Sequence, residues 1–204
     1  MIITHRHIAK VMLVAMMFVA HMTFAQSYTE EIAAWRKNYL EELHAEKRQP
    51  VKPSQFSRIS FYPANADYKV VATVKETPGS KPFMIPTHSG KQKPFREYAT
   101  LSFRLNDQEL TLHAYQSIDL LTDSVSGSYL FIPFRDYTNY DETYGGGRYI
   151  DIPVTDIRDG KVILDFNKCY NPYCAYSDGF NCPIPPDENV LAVEIKAGEK
   201  NFIH

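Results

Sequence analysis

From Ser57 onward the apolar residues of this chain recur at every second position, and no helix-length pattern separates the runs. Tyr68, Val70, Ala72 and Val74 alternate with Lys69, Val71, Thr73 and Lys75. Leu101, Phe103 and Leu105 form a second run, and Leu110 and Leu112 a third. Successive strand side chains point to opposite faces, so a period of two marks strands with one buried face. Asn106-Asp107 stands between the second and third runs and predicts a hairpin turn. Asp159-Gly160 predicts another, with Val162, Ile163, Leu164 and Phe166 on its outgoing arm, and Val190 to Lys196 reads as the last strand. Parallel strands require long, usually helical crossovers, and the pattern has none. The expected fold is mainly β: an antiparallel β-sandwich or partly open barrel.

One amphipathic helix precedes the strands. Ile32, Trp35, Tyr39 and Leu43 recur at helical spacing, Ser27-Tyr28-Thr29-Glu30 has capping-box spacing, and Lys47-Arg48-Gln49-Pro50 ends the segment. The helix is predicted over about 29–46, packing its Trp35 face on the domain. Ahead of it, residues 1–25 have the order of a secretory signal peptide. Arg6 and Lys10 give a basic start, Val11 to Ala20 is an apolar run, and Thr23 and Ala25 precede Gln26. The apolar run is about half of the roughly twenty residues that span a bilayer, which argues against a permanent membrane anchor. The expected organisation is a leader over 1–25, the helix within 26–50 and one β-rich domain over 51–204, in a periplasmic or secreted protein. Without Arg6 and Lys10 the count is 20 basic against 24 acidic side chains, a net of −4. So mild an acidity leaves no electrostatic footprint for nucleic acid.

Chemistry concentrates between Phe131 and Asn189. This block holds three consecutive glycines, paired prolines, all three cysteines and half of the 14 tyrosines. Gly145-Gly146-Gly147-Arg148 lacks the Gly-Lys-Ser/Thr ending and following helix of a phosphate-binding loop. Consecutive glycines can still aim several N–H groups into one concavity, and Arg148 can clamp a carboxylate or phosphate. The alternative is a tight turn whose arginine is ion-paired with Asp136 or Asp165. Among the acids Asp136, Asp141, Glu142, Asp151 and Asp165, two converging carboxylates can act as an acid/base pair. Asp165 and Asn167 flank Phe166 at a strand end, where alternation aims both at one face. Cys174 and Cys182 are close enough in sequence for a disulfide in an oxidising compartment, with Cys169 left over as a buried thiol. The cysteine spacing fits no zinc pattern, so no metal site is expected, and no cofactor motif is present. Of the histidines beyond the leader (His44, His88, His113 and His204), none lies in the block. Gly-x-Ser-x-Gly and His-Glu-x-x-His are both absent.

Taken together, these motifs resemble the bacterial family catalogued as domain of unknown function 1684. The resemblance rests on Phe134-Arg135-Asp136, Thr138, Glu142-Thr143-Tyr144-Gly145-Gly146-Gly147-Arg148-Tyr149, Asp165-Phe166-Asn167, Tyr170-Asn171-Pro172, Cys174-Ala175-Tyr176, Cys182-Pro183, Pro185-Pro186, Glu188-Asn189 and Ala197-Gly198-Glu199. It spans roughly Phe56 to Lys200 and implies no named reaction. Tyr140 stands where the family pattern has glycine, which predicts a differently shaped turn, and Cys169 stands where it has alanine. Three functions follow from the residues. The leading one is binding of a small polar or anionic ligand, glycan-like or bearing a carboxylate or phosphate. Arg148, Gly146 and Gly147 would hold it; Asp136, Asp165, Asn167 and Asn171 would orient it; Tyr144, Tyr149 and Tyr170 would wall the pocket. The second is a hydrolase using Asp136 and Asp165 as catalytic acids with Arg148. The third is a structural clasp in a domain that meets a protein partner, whose nature the sequence does not name.

Overall fold

A computed structural model of the protein describes residues 26–123 and 126–204. The leader read at 1–25 lies outside the described residues. Helix α1 occupies 26–45 and buries Tyr28, Ile32 and Leu43 on one face, with Trp35 and Tyr39 half-buried beside them. Trp35 stacks on Tyr39 at 5.4 Å. The helix already includes residue 26, so Ser27 lies within it rather than at its cap.

Among the described residues seven strands follow: β1 (Lys69–Glu76), β2 (Phe83–Pro86), β3 (Gln92–Leu105), β4 (Gln108–Ser117), β5 (Tyr129–Phe134), β6 (Arg148–Pro153) and β7 (Lys161–Asp165). They form a single antiparallel sheet in the order β6-β5-β4-β3-β1-β7, with β2 beside β3. The long β3 pairs with β2 along its first half and with β1 along its second, and its register shifts between Glu97 and Ala99. A bulge of this kind bends a strand and increases its twist. The sheet curls into a half-barrel, the partly open alternative of the two architectures predicted. Its concave face packs Leu101, Leu112, Ile132, Phe134, Leu164 and Ile195 into one core. The chain leaving β7 crosses back to β6, where Tyr170 bridges Tyr149.

The hairpin at Asn106-Asp107 forms as predicted, both residues taking the positive φ that such a two-residue turn needs (48° and 62°). Asp159-Gly160 also turns the chain, but its incoming arm is only Arg158, which bridges Lys161; β7 then pairs with β1. The predicted last strand is not one. Residues 190–197 keep alternating burial, yet the backbone joins no ladder: it makes an isolated bridge, Arg135 to Val190, and a further bond, from the Tyr137 N–H to the Val193 carbonyl (2.9 Å). The strand β2 carried no sequence signal strong enough to predict it.

Side chains stand in where strand ladders stop. Strands β4 and β5 are in register at Tyr115 and Phe131 alone. Beside that point the buried amide of Asn189 accepts from the His113 N–H (2.7 Å) and donates to the carbonyls of His113 (2.9 Å) and Pro133 (2.7 Å). Buried backbone groups left unpaired are costly, so an amide with one acceptor and two donors can replace a missing neighbour strand.

Candidate functional site

Arg148 opens β6 and is fully buried at 0% exposure. One terminal guanidinium nitrogen donates to the carbonyls of Ala197 (2.6 Å) and Glu199 (3.2 Å), the other terminal nitrogen to that of Ile195 (2.8 Å) and to Asp136 Oδ2 (2.8 Å). These carbonyls belong to the extended tail that fails to become a strand, and Arg148 satisfies them as a ladder partner would. The second oxygen of Asp136 accepts from the N–H groups of Thr138 (2.9 Å) and Ile195 (3.2 Å) and from the Thr138 hydroxyl (2.6 Å). Of the two ion pairs predicted for Arg148, the partner is Asp136, and protein groups enclose the pair.

Asp165 and Asn167 lie in a separate network. Asp165 caps the 3-10 turn Phe166–Lys168 by accepting from the Asn167 N–H (3.0 Å), so the turn rather than strand alternation brings the two together. Tyr28 of α1 donates to Asp165 Oδ1 (2.9 Å), and the Asn167 amide donates to Tyr28 Oη and to the Asn65 carbonyl, both at 2.8 Å. Burial first, then the Asp165 carboxylate, raises the Tyr28 phenol well above its ordinary pKa. This network pins α1 to the sheet.

A third network centres on Glu199, which stood in the family motif but carried no predicted role. Its carboxylate is fully buried and accepts from the Asn171 N–H (3.0 Å), Tyr176 Oη (2.7 Å) and Tyr39 Oη (3.1 Å). Burial raises its pKa above the ordinary carboxylate value despite these donors. The Asn171 amide donates to the Lys200 carbonyl (2.8 Å). Tyr149 is buried against Phe131 at 4.7 Å and donates to the Pro183 carbonyl, while Tyr170 donates to Asp151. Asp136 and Asp165 thus stand in different networks, each held by backbone N–H groups.

The glycine run faces two ways. Gly147 has φ +88°, and a Cβ there would sit 2.6 Å from the Phe134 carbonyl oxygen, so the chain must come this close without a side chain. Gly145 and Gly146 are half-buried and border a surface cleft of about 440 Å³ with Tyr140, Tyr144, Phe202 and His204. A second cleft, of about 390 Å³, is lined by Ser89, Lys91, Asp178, Phe180 and Asn181 among others. His88 and Tyr144 line both, with their rings 6.0 Å apart. Burial holds the His88 pKa below its ordinary value, so the ring is neutral at pH 7. His88 lies far from the block in sequence; the turn after β2 carries it there, and its N–H donates to the Cys182 carbonyl (3.0 Å).

Tyr140 is 84% exposed and has φ +72°, with its ring over Gly145. A bulky side chain rarely adopts this conformation, and glycine adopts it freely. The turn therefore keeps glycine-type backbone geometry while presenting an aromatic ring. Cys174 and Cys182 form a disulfide, and Cys169 is a buried free thiol whose pKa burial pushes up to about 11. Among the described residues, no group of three or more His, Cys, Asp or Glu side chains can hold a metal ion, and no helix is long and apolar enough to cross a membrane.

The fold and these networks define a small antiparallel half-barrel, braced by buried polar side chains and bearing a paired cleft beside its glycine run. The chain belongs to the family described as Protein of unknown function (DUF1684), which matches residues 54–200. It is also similar to an uncharacterized protein of Haloarcula marismortui solved by solution NMR. That similarity is 33% identity with a TM-score of 0.62, covering 84% of this chain and 97% of the other. No curated protein matches.

Proposed function

We propose that the protein binds a small, uncharged, hydroxyl-rich ligand of glycan-like chemistry across the His88–Tyr144 cleft. The observation that carries this reading is the pair of clefts meeting at those two rings on the solvent side of the glycine run. Their volumes fall in the range of small-molecule sites. Aromatic faces with polar tips, from Tyr140 and Tyr144, suit sugar rings. His88 offers ring nitrogens for hydrogen bonding, and the opposite charges of Lys91 and Asp178 in the same lining leave the cleft without a net charge, which favours an uncharged ligand over an anionic one. In this reading Tyr144 and Gly146 border the ligand. Arg148, Asp136, Asp165, Asn167 and Asn171 form the clasp, with Gly147, Tyr149 and Tyr170 supporting it. The same clasp leaves the hydrolase reading without support, because Asp136 and Asp165 share no cleft. The signal-like N-terminus and the Cys174–Cys182 disulfide support a periplasmic or secreted location.

A thermal-shift panel of neutral saccharides, organic acids and nucleotides tests the site. Neutral saccharides should raise Tm for wild type, and Tyr144→Ala should abolish the response. Tyr140→Gly should weaken it without lowering the ligand-free Tm, because glycine relieves the positive φ. A wild-type response confined to anions, no response at all, or both variants behaving as wild type removes the proposal.

A further inference from the structure

The Cys174–Cys182 disulfide builds one wall of the cleft and anchors the other. Cys174 lines the cleft, as do Ser177, Asp178, Phe180 and Asn181 inside the ring that the bond closes. Across from them, His88 hangs on the Cys182 carbonyl through its N–H (3.0 Å), and Thr87 bridges Pro183. Past Ser177 the backbone inside the ring has little else to hold it. The N–H groups of Asp178, Gly179, Phe180 and Asn181 donate to no backbone carbonyl among the described residues. Ala175 and Tyr176 are buried, Tyr176 on Glu199, but beyond them only the Ser177 hydroxyl on the Pro50 carbonyl (2.8 Å), the Ser177 N–H on Tyr173 (3.2 Å) and the Phe180 ring against Tyr173 (5.3 Å) and Arg48 (5.4 Å) hold the ring. Segments with so few backbone bonds open locally once a constraint is lost.

We infer that the disulfide is a redox-operated device that sets the shape of the cleft. Cys174 is half-buried at the cleft while Cys182 is buried, so an incoming thiolate reaches the Cys174 sulfur and the Cys182 thiolate leaves. With a dithiol as the reductant, its second thiol resolves the mixed disulfide. Two electrons and two protons end on the two cysteines, and the reductant departs as a cyclic disulfide. Segment 177–181 is then released, the Cys182 carbonyl that holds His88 loses its covalent brace, and the cleft opens. The functional consequence rests on the binding reading above; the structural step does not.

Hydrogen exchange by mass spectrometry on oxidised protein and on protein reduced with dithiothreitol without denaturant, alongside the saccharide panel, tests this. Reduction should expose two titratable thiols and speed exchange of the His88 and Ser177 amides at least tenfold, with β3 and β4 unchanged. It should also abolish the saccharide shift. Unchanged exchange in reduced protein, or a bond that resists reduction while the protein is folded, overturns the inference. A saccharide shift of equal size in both forms overturns it and leaves the binding site standing. If no saccharide shifts either form, the binding reading fails and the exchange result alone decides this one. Cys174→Ser with Cys182→Ser should reproduce the reduced form; should that variant not fold, reduced wild type carries the test.

Discussion

Replacing Arg148 with methionine isolates what the buried clasp contributes to stability. The substitution strands the Asp136 carboxylate, whose side chain is wholly enclosed, and leaves the carbonyls of Ile195, Ala197 and Glu199 without their donor. Breaking a buried ion pair by removing one partner costs about 3–5 kcal/mol. Each unsatisfied buried acceptor adds about 1 kcal/mol or more. Apolar burial of the methionine returns roughly 1–2 kcal/mol. The net loss is on the order of 5 kcal/mol, a large share of the roughly 5–15 kcal/mol that holds a domain folded. For a protein of this length it corresponds to a Tm lower by about 10–20 °C. Urea denaturation of oxidised protein, followed by the fluorescence of the single tryptophan, Trp35, and by circular dichroism, measures it. Adding Asp136→Asn in the Arg148→Met background should recover part of the loss. Asparagine drops the stranded charge and keeps one oxygen for the Thr138 and Ile195 N–H groups. A loss under about 1.5 kcal/mol for Arg148→Met, or an equal effect of Asp136→Asn in both backgrounds, would refute the clasp as the source of stability.

Two further predictions concern pH and processing. Burial raises the folded-state pKa of Glu199, so its protonated form favours folding, and that contribution fades as pH rises from the unfolded carboxylate value of about 4.3 through the folded one. Glu199→Gln does not titrate, so the Tm of the variant relative to wild type should climb with pH across this window; a pH-independent difference contradicts the assignment. Expressed from Met1 in a bacterial host, the protein should, on the proposed location, be recovered outside the cytoplasm with Gln26 as its first residue by N-terminal mass spectrometry, and an intact Met1 species retained in the cytoplasm would overturn the location.

Much of the architecture was legible locally. Alternation at Tyr68–Lys75 and Leu101–Leu112 depends on which face of a strand is buried, and Asn106-Asp107 encodes its own turn, so both could be read from neighbours in the chain. The helical spacing of Ile32, Trp35, Tyr39 and Leu43 was readable for the same reason. Residues 190–197 mark the limit. Their alternation is real, but whether such a segment joins a ladder depends on what lies beside it, and there it lies along the Arg148 side chain.

The antiparallel character of the sheet, the amphipathic helix ahead of it and the set of motif residues were readable in the sequence, which offered Cys174 and Cys182 as a disulfide without settling that they pair. What those residues touch follows from how the chain packs in space. Arg148 could have met Asp136 or Asp165, and both lie close to it in sequence; its carbonyl partners, however, lie 47 to 51 residues away. Asn167 meets Tyr28 across 139 residues, and His88 reaches Gly146 and Cys182 through the turn after β2. Hydrogen-bond geometry is set by distances in space, which a one-dimensional spacing does not contain. That is why polar residues resembling a site became a buried brace, and why the surface cleft formed beside them at a histidine from outside the block.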